Sequence, residues 1–404
     1  MADVKMCLVL NAGSSSVKYA LFQLDSKDSA TQLCSGLVEK VGLEMGILNH
    51  ENEGEAKSTI EMPFPDHTVA LNKVIELLTD PESGKVKDLS CIKVVGHRVV
   101  HGGEKFSSAT VIDEEAMAAI KEAAALAPLH NPANITGVEV ASKLLDCPQV
   151  AVFDTAFHMT IPKSAYIYAI PVEMYEKYHI RSYGFHGSSY MYITETAAKY
   201  LNKPLDKTNL IICHLGNGAS MCAVKGGKSV ETTMGLTPLE GLVMGTRSGD
   251  IDPAFVNHMS AYDMSAADVN TMLNKKSGLL GLCGDMDMRA VQSRADAGDE
   301  KAATALGVYI HRIRKYLGAY LVTLEGCVDA IVFTAGVGEN SKVVRKLVCE
   351  KLGPLGINID NERNENAKGV CEISPNGATI KVMKIPTDEE LCITQQAVCA
   401  AKIF

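Results

Sequence analysis

Residues 7–24 of the chain read CLVLNAGSSSVKYALFQL, in which two apolar runs are separated by a turn of small and polar residues. Residues 210–224 read LIICHLGNGASMCAV and repeat this plan, with a first run that ends at His214, a glycine-rich turn and a second run. Apolar runs bounded by turn residues are typical of buried β-strands. Because a strand–turn–strand unit occurs in each half of the chain, the sequence predicts a duplicated domain.

The rest of the chain alternates β-rich runs with amphipathic helical patterns, which is typical of α/β proteins. The predicted strands span residues 5–11, 17–24, 32–38, 91–95, 149–153 and 330–333. The predicted helices span residues 66–78, 113–126, 299–325 and 388–401, with a further helix from about residue 341. Asp113 is the expected N-cap of its helix, and Gly326 is the expected stop of the longest one.

Length and composition exclude several classes of protein. A chain of 404 residues is too long for one ordinary core and predicts at least two domains. No apolar run approaches the ~18 residues of a membrane helix, and the first residues predict a strand instead of a signal peptide. A net charge of −9, from 39 basic and 48 acidic residues without a basic run, disfavours nucleic-acid binding.

The 12 cysteines do not form a disulfide pattern. They are scattered among apolar neighbours, and none belongs to a CxxC pair. Reduced thiols within the core of a cytoplasmic protein are therefore the expected state, and a structural metal site is not favoured.

Three turns rich in small residues are candidate anion sites, at residues 11–16, 214–218 and 335–340. Without bulky side chains, their backbone N–H groups can approach an anion closely. The third turn follows a predicted strand and precedes the predicted helix near Ser341, which is the arrangement that binds phosphate at a helix N-terminus. Three such turns in one chain predict a phosphorylated ligand.

Two familiar nucleotide motifs are absent. The stretch ending in Gly227-Lys228-Ser229 resembles a Walker A loop, but Cys222 stands where the first glycine is required, and the stretch lies between predicted strands. The turn at Gly336 lacks the third glycine of a dinucleotide fingerprint, where the sequence has Ser341.

Arg98 follows a predicted buried strand beside a glycine turn. His97 and His101 have the i, i+4 spacing of zinc ligands, but Val99 and Val100 favour a strand, and an arginine replaces the glutamate of HExxH. A guanidinium can clamp a carboxylate or a phosphate through two oxygens, or form a structural salt bridge. The segment alone leaves these two roles of Arg98 equally open.

Four further charged groups stand at positions suited to chemistry. Arg247 lies between glycines, Asp154 ends an apolar strand, and His186 lies between two glycines before a predicted helix. The acidic residues 388–390 open the last helix, where carboxylates commonly complement the helix dipole. Two arginines, a strand-end carboxylate, a loop histidine and three anion-binding turns predict phosphoryl transfer with Mg²⁺.

Nine strings of the sequence resemble those of the acetate kinase family, in the same order and nearly from end to end. They are LNAGSSSVKY, GHRVVHGGE, APLHNP, FDTAFH, YGFHG, HLGNGAS, TPLEGLVMGTRSGDIDP, TAGVGEN and IPTDEEL. This family belongs to the acetate and sugar kinase/Hsp70/actin superfamily. The resemblance implies two duplicated actin-like, ribonuclease H-like α/β domains around a central cleft. Residues 1–155 with about 388–404 would form the N-terminal domain, and residues 156–387 the nucleotide-binding C-terminal one.

The resemblance also implies a reaction and a set of catalytic residues. The reaction would be reversible in-line transfer of the γ-phosphoryl group of ATP to acetate, giving acetyl phosphate and ADP, with Mg²⁺ or Mn²⁺ as the metal. The implied catalytic residues are Asn11, Arg98, Asp154, His186 and Arg247. Among them, Asn11 would contact the transferring group, Arg98 would hold acetate, and Asp154 would act near the metal. His186 and Arg247 would stabilise the transition state, and a homodimer is implied as well.

The implied binding residues fall into three groups. The acyl pocket would be formed by Arg98, Val100, Leu129, Phe185 and Pro238. The metal would be held by Asn11 and Glu389. The nucleotide and its phosphates would be contacted by Ser14, Ser16, Lys18, His214, Leu215, Gly216, Asn217, Gly218, Asp287, Met288, Arg289, Gly336, Val337, Gly338, Glu339 and Asn340.

The sequence departs from the family pattern in three places. Tyr190 stands where the family usually has histidine, and Asp388 stands where it has asparagine beside Glu389. Residues 282–288 differ from the usual small, polar run, which puts the adenine contacts and the preferred phosphoryl donor in question.

Two alternatives compete with an acetate kinase. The first is an acyl kinase that prefers propionate or butyrate, or that uses pyrophosphate. An apolar pocket discriminates by only about 1–3 kcal/mol per methylene, so propionate should be a poorer substrate and not a forbidden one. The second is a non-catalytic, actin-like nucleotide-binding protein. Such a protein would keep the phosphate turns but would not need Arg98, Asp154, Arg247 and Glu389.

Overall fold

The computed structural model describes residues 4–27, 29–128 and 130–404. Within them the β-strands are β1 (Met6–Gly13), β2 (Ser16–Ser26), β3 (Ser29–Glu39), β4 (Gly46–Asn52), β5 (Ser58–Met62), β6 (Ile92–Val99), β7 (Thr110–Val111), β8 (Gln149–Phe153), β9 (Leu210–Leu215), β10 (Ala219–Lys225), β11 (Lys228–Thr232), β12 (Ala330–Thr334), β13 (Cys371–Glu372) and β14 (Lys381–Lys384). The α-helices are α1 (His67–Leu78), α2 (Glu114–Ala123), α3 (Asn131–Leu144), α4 (Lys163–Tyr166), α5 (Glu173–Tyr178), α6 (Gly187–Tyr200), α7 (Phe255–Met259), α8 (Ala266–Lys275), α9 (Gly278–Cys283), α10 (Met288–Asp296), α11 (Glu300–Thr323), α12 (Ala335–Asn340), α13 (Lys342–Cys349), α14 (Asn361–Glu365) and α15 (Glu389–Ala400).

The chain divides into two compact units. Unit 1 runs to Phe157 and includes the C-terminal segment Asp388–Phe404. Unit 2 is the intervening segment His158–Thr387. The last helix, α15, therefore belongs with the N-terminal part of the chain.

Unit 1 is built on a sheet of strand order β5-β4-β3-β2-β1-β6-β8-β7, in which β1, β6 and β8 are parallel. Successive side chains of β1 point to opposite faces of the sheet. Leu8 and Leu10 join one apolar cluster with residues of α1 and α3, while Cys7 and Val9 join another with residues of α15. Because helices cover both faces, β1 reads as the continuous apolar run that identified it in the sequence.

Unit 2 is built on a sheet of strand order β11-β10-β9-β12-β14-β13. Three antiparallel strands are followed by parallel β12 and β14 and by an antiparallel edge strand. The segment β3-β2-β1-β6-β8-β7 of unit 1 has the same order and the same strand directions. The predicted duplicated α/β fold is confirmed, and unit 1 carries β4 and β5 as an addition at one edge.

One predicted helix cap is present in the structure, and one predicted turn is not. The Asp113 side chain accepts a hydrogen bond from the Ala116 amide at 2.8 Å and caps α2, as the sequence predicts. Asp299 caps α11 in the same way through the amide of Lys301 at 2.9 Å. The prediction of a turn over residues 335–340 is wrong, because these residues form the short helix α12 directly after β12.

Most of the cysteines lie in the core, as the sequence predicts. All 12 cysteines lie within the described residues, where none of them forms a disulfide bond and seven are buried. None of the helices in the described part of the chain is both long and apolar enough to cross a membrane.

Candidate active site

Arg98 and Asp154 form a bidentate ion pair in unit 1. Arg98 lies near the end of β6, and Asp154 directly follows β8, so the carboxyl ends of two neighbouring parallel strands bring them together. Arg98 Nε donates to Asp154 Oδ1 at 2.9 Å, and Nη2 donates to Oδ2 at 2.6 Å. Burial alone would lower the pKa of Arg98, but the pairing with Asp154 raises it above its usual value.

The exposure of the pair is uneven. The Asp154 side chain is only 2% exposed, whereas that of Arg98 is 24% exposed. Both Asp154 oxygens are engaged, while Arg98 Nη1 makes no hydrogen bond within the described residues. The salt bridge that the sequence left open is therefore present, and the guanidinium keeps a free donor for a second anion.

Glu389 lies close to this pair, in the first turn of α15. Burial raises the pKa of the Glu389 carboxyl; Arg98 opposes the shift and Asp154 adds to it. Its neighbour Glu390 pairs with Lys18. Asp388, the N-cap of α15, accepts a hydrogen bond from the Leu391 amide at 2.9 Å.

The turn between β1 and β2 carries the predicted phosphate contacts of unit 1. Asn11 is partly buried and pairs across the hairpin with Lys18, while Ser14 at the tip is exposed and Ser16 pairs with Gly13.

A buried asparagine connects this turn with the end of β6. Asn134 Nδ2 donates to the Ala12 carbonyl at 2.7 Å, and Asn134 Oδ1 accepts from the Val100 amide at 3.1 Å. Sequence reasoning missed Asn134, because the helix that carries it, α3, was not predicted.

The oxygen donors in unit 1 fit a hard divalent cation. Carboxylate and amide oxygens are the protein ligands that Mg²⁺ prefers, usually with several waters retained. Asn11 and Glu389 offer such oxygens, and the buried carboxyl of Glu389 gains from a cation beside it. Within the described part of the chain, no cluster of three or more His, Cys, Asp or Glu groups could by itself hold a metal ion.

The predicted acyl-pocket residues are divided between the two units. Val100 is 7% exposed and directly follows β6 in unit 1, and Leu129 lies outside the described residues. Phe185 and Pro238 belong to unit 2, where Phe185 is buried and the Pro238 carbonyl accepts a hydrogen bond from Arg247.

His186 is held in an unusual conformation at the start of α6. It is the N-cap residue, with φ at 60°, in the left-handed region that few non-glycine residues adopt. Its ring stacks on that of His214 with centroids 4.1 Å apart, and its Nδ1 is 2.8 Å from Ser220 Oγ. Residues whose strained backbone is maintained by the surrounding structure are common at functional sites.

Arg247 is a partly buried cation without a carboxylate. Nη1 donates to the Pro238 carbonyl at 3.1 Å, and burial lowers the pKa of the guanidinium. No acidic side chain of the described residues forms an ion pair with it, in contrast to Arg98. Because a buried charge without a partner is energetically unfavourable, the Arg247 guanidinium is suited to bind an anionic ligand.

Arg247 and His186 converge beside Gly218. A Cβ atom placed on Gly218 would lie 3.6 Å from Arg247 Nη1 and 3.7 Å from His186 Nε2. The missing side chain therefore leaves space where both nitrogen atoms can reach the same ligand.

A cavity of about 480 Å³ lies in unit 2. It is lined in part by residues that the resemblance assigned to the nucleotide, namely Gly216, Asn217, Asp287, Met288, Arg289, Gly336, Val337 and Asn340. The remaining lining residues, which sequence reasoning missed, are Gly245, Leu279, Met286, Gln292, Tyr309 and Ser341. A cavity of this size suits a nucleotide-sized ligand.

The other predicted nucleotide contacts of unit 2 are neighbours of this lining along the chain. His214 and Leu215 are buried at the end of β9, and Gly338 is buried in α12. Glu339 Oε1 accepts a hydrogen bond from the Thr387 amide at 3.1 Å. The structure thus places the predicted nucleotide segments of unit 2 together.

Comparison with known proteins assigns the chain to a family, because the model of the acetokinase family matches residues 6–395. The chain belongs to the acetokinase family. An acetate kinase from Oleidesulfovibrio alaskensis is 50% identical over 402 residues, which cover 98% of this chain and 99% of that protein.

Solved structures agree with the family. The crystal structure of an acetate kinase from Porphyromonas gingivalis has 43% identity and a TM-score of 0.93, covering 98% of this chain and 99% of that one. A propionate kinase from Francisella tularensis has 42% identity and a TM-score of 0.90, covering 97% and 98%. The family resemblance and the predicted enzyme class, a phosphotransferase with a carboxyl acceptor, are confirmed.

Acetokinase-family enzymes named acetate kinases use ATP and ADP with a divalent metal. The cavity of unit 2 and the oxygen donors of unit 1 are compatible with these two requirements.

Proposed function

We propose that this chain catalyses reversible, Mg²⁺-dependent in-line transfer of the γ-phosphoryl group of ATP to acetate. A carboxylate oxygen of acetate forms the new P–O bond while the bond between the γ-phosphorus and the β–γ bridging oxygen breaks, giving acetyl phosphate and ADP. The observation that carries this proposal is the convergence of Arg247 Nη1 and His186 Nε2 beside Gly218, next to cavity-lining Gly216 and Asn217.

The main difficulty of this reaction is electrostatic. Acetate is ionised at neutral pH and needs no general base, because its pKa resembles that of an ordinary carboxyl group. The work lies in bringing two anions together and in stabilising charge on the equatorial oxygens of the transferring group. Arg247 suits this role because no carboxylate in the described residues neutralises it. His186 adds a second donor at the same place.

Arg98 is proposed to bind the acetate carboxylate. Its Nε and Nη2 are occupied by Asp154, so the pair fixes the guanidinium plane, and the remaining Nη1 donor can point to the substrate. Val100, two residues further along, is apolar and buried and is proposed to contact the methyl group.

The metal is proposed to be Mg²⁺, held by Asn11 and Glu389 with Asp154 nearby. When bound, Mg²⁺ would offset the negative charge of the phosphates. The chain's own contribution is to keep the Glu389 carboxylate shielded and oriented by the first turn of α15. Mn²⁺ has similar ligand preferences and is expected to substitute.

Substitution of Arg98 in unit 1 and substitution of Arg247 in unit 2 should each abolish the same activity. The test is formation of acyl phosphate from acetate, ATP and Mg²⁺, trapped with hydroxylamine. Acetyl hydroxamate should form with the wild-type chain and be lost in Arg98→Ala and Arg247→Ala. Arg314→Ala is the matched control, because Arg314 binds the carbonyls of Leu347, Val348 and Glu350 in unit 2, apart from the cavity lining.

Propionate is the second candidate acceptor, since a propionate kinase is among the similar structures. Parallel reactions with propionate, butyrate and pyrophosphate decide between the substrates. We expect propionate to react with a lower kcat/KM than acetate, by about 10-fold or more. A higher value for propionate would reassign the acceptor, and product with pyrophosphate alone would reassign the donor. The absence of product with every pair, from folded protein, would refute an enzymatic role. The homodimer and the cytoplasmic location remain predictions.

A further inference from the structure

Tyr190 is connected to His186 by a buried serine. Tyr190 lies in the first turn of α6, and its side chain is fully buried. Tyr190 Oη is 2.5 Å from Ser220 Oγ, and Ser220 Oγ is 2.8 Å from His186 Nδ1. The three groups form a continuous hydrogen-bonded chain that ends on the ring nitrogen opposite to Nε2.

The protons of this chain have a preferred direction. A phenol is a stronger hydrogen-bond donor than an aliphatic hydroxyl, and burial raises the pKa of Tyr190 well above its usual value, so its proton is retained. When Tyr190 donates to Ser220, the single hydroxyl hydrogen of Ser220 is directed to His186 Nδ1. In a neutral imidazole whose Nδ1 accepts a hydrogen bond, the proton resides on Nε2.

The position of that proton matters for the reaction. Nε2 is the ring nitrogen that lies with Arg247 Nη1 beside Gly218, where the transferring phosphoryl group is proposed to bind. A protonated Nε2 donates to an anionic oxygen, whereas an unprotonated Nε2 would present its lone pair to it.

We propose that Tyr190 is a positioning residue that, acting through Ser220, fixes the Nε2–H tautomer of His186 for phosphoryl transfer. This inference rests on the function proposed above and deepens it. The stacked ring of His214, whose Nδ1 is held by Ser189 Oγ at 2.8 Å, restricts rotation of the His186 ring, so the tautomer remains the variable that Tyr190 sets.

The surroundings of Tyr190 make a clean substitution available. Its ring packs edge-on against His158, with centroids 5.4 Å apart. Phenylalanine keeps this packing and removes only the hydroxyl, so Tyr190→Phe is expected to fold. Tyr200→Phe is the matched control, because Tyr200 lies at the other end of α6, is exposed, and accepts a hydrogen bond from the Glu372 amide.

The first test is steady-state kinetics. Loss of a residue that orients a catalytic group typically costs 10–100-fold, so Tyr190→Phe should lower kcat by about that factor. KM for ATP and for acetate should stay within about twofold, because the tautomer acts on the transition state more than on binding. Ser220→Ala should cause a similar loss, and the double variant should lose no more than either single one, because both act through one chain. Unchanged kcat in Tyr190→Phe, or additive losses, would overturn the proposal.

The second test does not depend on activity. In protein labelled with ¹⁵N-histidine, a ¹⁵N–¹H correlation of the imidazole rings distinguishes protonated from unprotonated nitrogen, with the His186 signals assigned by His186→Gln. We expect Nε2 to carry the proton in the wild type and in Tyr200→Phe, and to lose part of it to Nδ1 in Tyr190→Phe. A wild-type Nε2 without a proton would refute the inference. Failure of the hydroxamate assay would instead refute the proposed function, which keeps the two distinguishable.

Discussion

The same substitution should lower the free energy of unfolding at Arg98 and leave it nearly unchanged at Arg247. Arg98→Met removes one partner of a bidentate pair, with contacts of 2.9 Å and 2.6 Å, and leaves the carboxylate of Asp154, only 2% exposed, without a cation. Breaking a buried pair in this way costs about 3–5 kcal/mol. For a unit of this size, that loss lowers Tm by roughly 6–20 °C.

Arg247→Met removes a charge that has no carboxylate partner among the described residues. It loses one hydrogen bond from a charged donor to the Pro238 carbonyl, which is worth about 1.5–3 kcal/mol. This loss is offset because an incompletely paired cation no longer has to be desolvated, a gain of comparable size. The free energy of unfolding should therefore change by no more than about 1 kcal/mol. Activity should fall about 10³-fold or more, as it does when a transition-state arginine is removed.

Both variants are compared with the wild type by thermal and urea unfolding followed by circular dichroism, and by the hydroxamate assay. The double variant Arg98→Met/Asp154→Asn is the control, because it neutralises the orphaned carboxylate and should recover part of the lost stability without activity. Equal destabilisation of the two single variants would refute the inference that Arg98 is held by a buried ion pair and that Arg247 is not. A stable Arg98→Met would show that the pair with Asp154 is not an energetic unit.

Three further predictions concern packing, acid stability and thiols. In Gly218→Ala the new Cβ meets its nearest neighbours at ordinary van der Waals distances of 3.6 Å and 3.7 Å, so Tm should hold while kcat falls through occupation of the space beside the two donors. Burial lowers the pKa of His158 to about 4, so the contribution of His158 to the free energy of unfolding should be constant above pH 6.5. It should fall by up to roughly 3 kcal/mol as the pH drops from 6.5 towards 4 and the unfolded chain takes up the proton, and urea titrations of His158→Gln should lack this contribution. Alkylation of the native protein followed by mass spectrometry should label exposed Cys327 and Cys399 first and spare Cys222, since burial raises the pKa of Cys222 to about 12; early labelling of Cys222 would contradict its place in the core.

Features that depend only on residues close in the chain could be predicted from the sequence. A carboxylate that caps a helix needs only the amide groups of the following turn, so Asp113 could be predicted as a cap from a few residues. The buried strands could also be predicted, because strands of a sheet that is covered on both faces are nearly continuous apolar runs. The helix α3 was missed, since its buried positions include Asn131 and Asn134, which break the apolar pattern.

The details of the site could not be predicted, because they depend on contacts between distant residues. The sequence left the role of Arg98 open between a clamp and a salt bridge, and the partner that decides it, Asp154, is 56 residues away. Residues 335–340 carry glycines that predict a turn, yet they form α12 directly after β12. Ser220 gave no signal, although it bonds His186 across 34 residues. The family resemblance indicated the candidate residues, and the structure shows which groups they contact.

The duplication explains why glycine turns were easy to find and hard to interpret. The hairpin turns of β1–β2 and β9–β10 occupy equivalent places in sheets of the same strand order, so each unit inherited a candidate anion-binding turn. The strands that follow have diverged. In unit 1 the equivalent strands β6 and β8 lead to a paired arginine and aspartate, whereas in unit 2 β12 leads directly into α12, whose Gly336 lines the cavity. At these equivalent strand ends, unit 1 therefore carries charged side chains and unit 2 carries backbone that lines a cavity. Such divergence is expected when the two copies of a duplicated unit acquire different ligands.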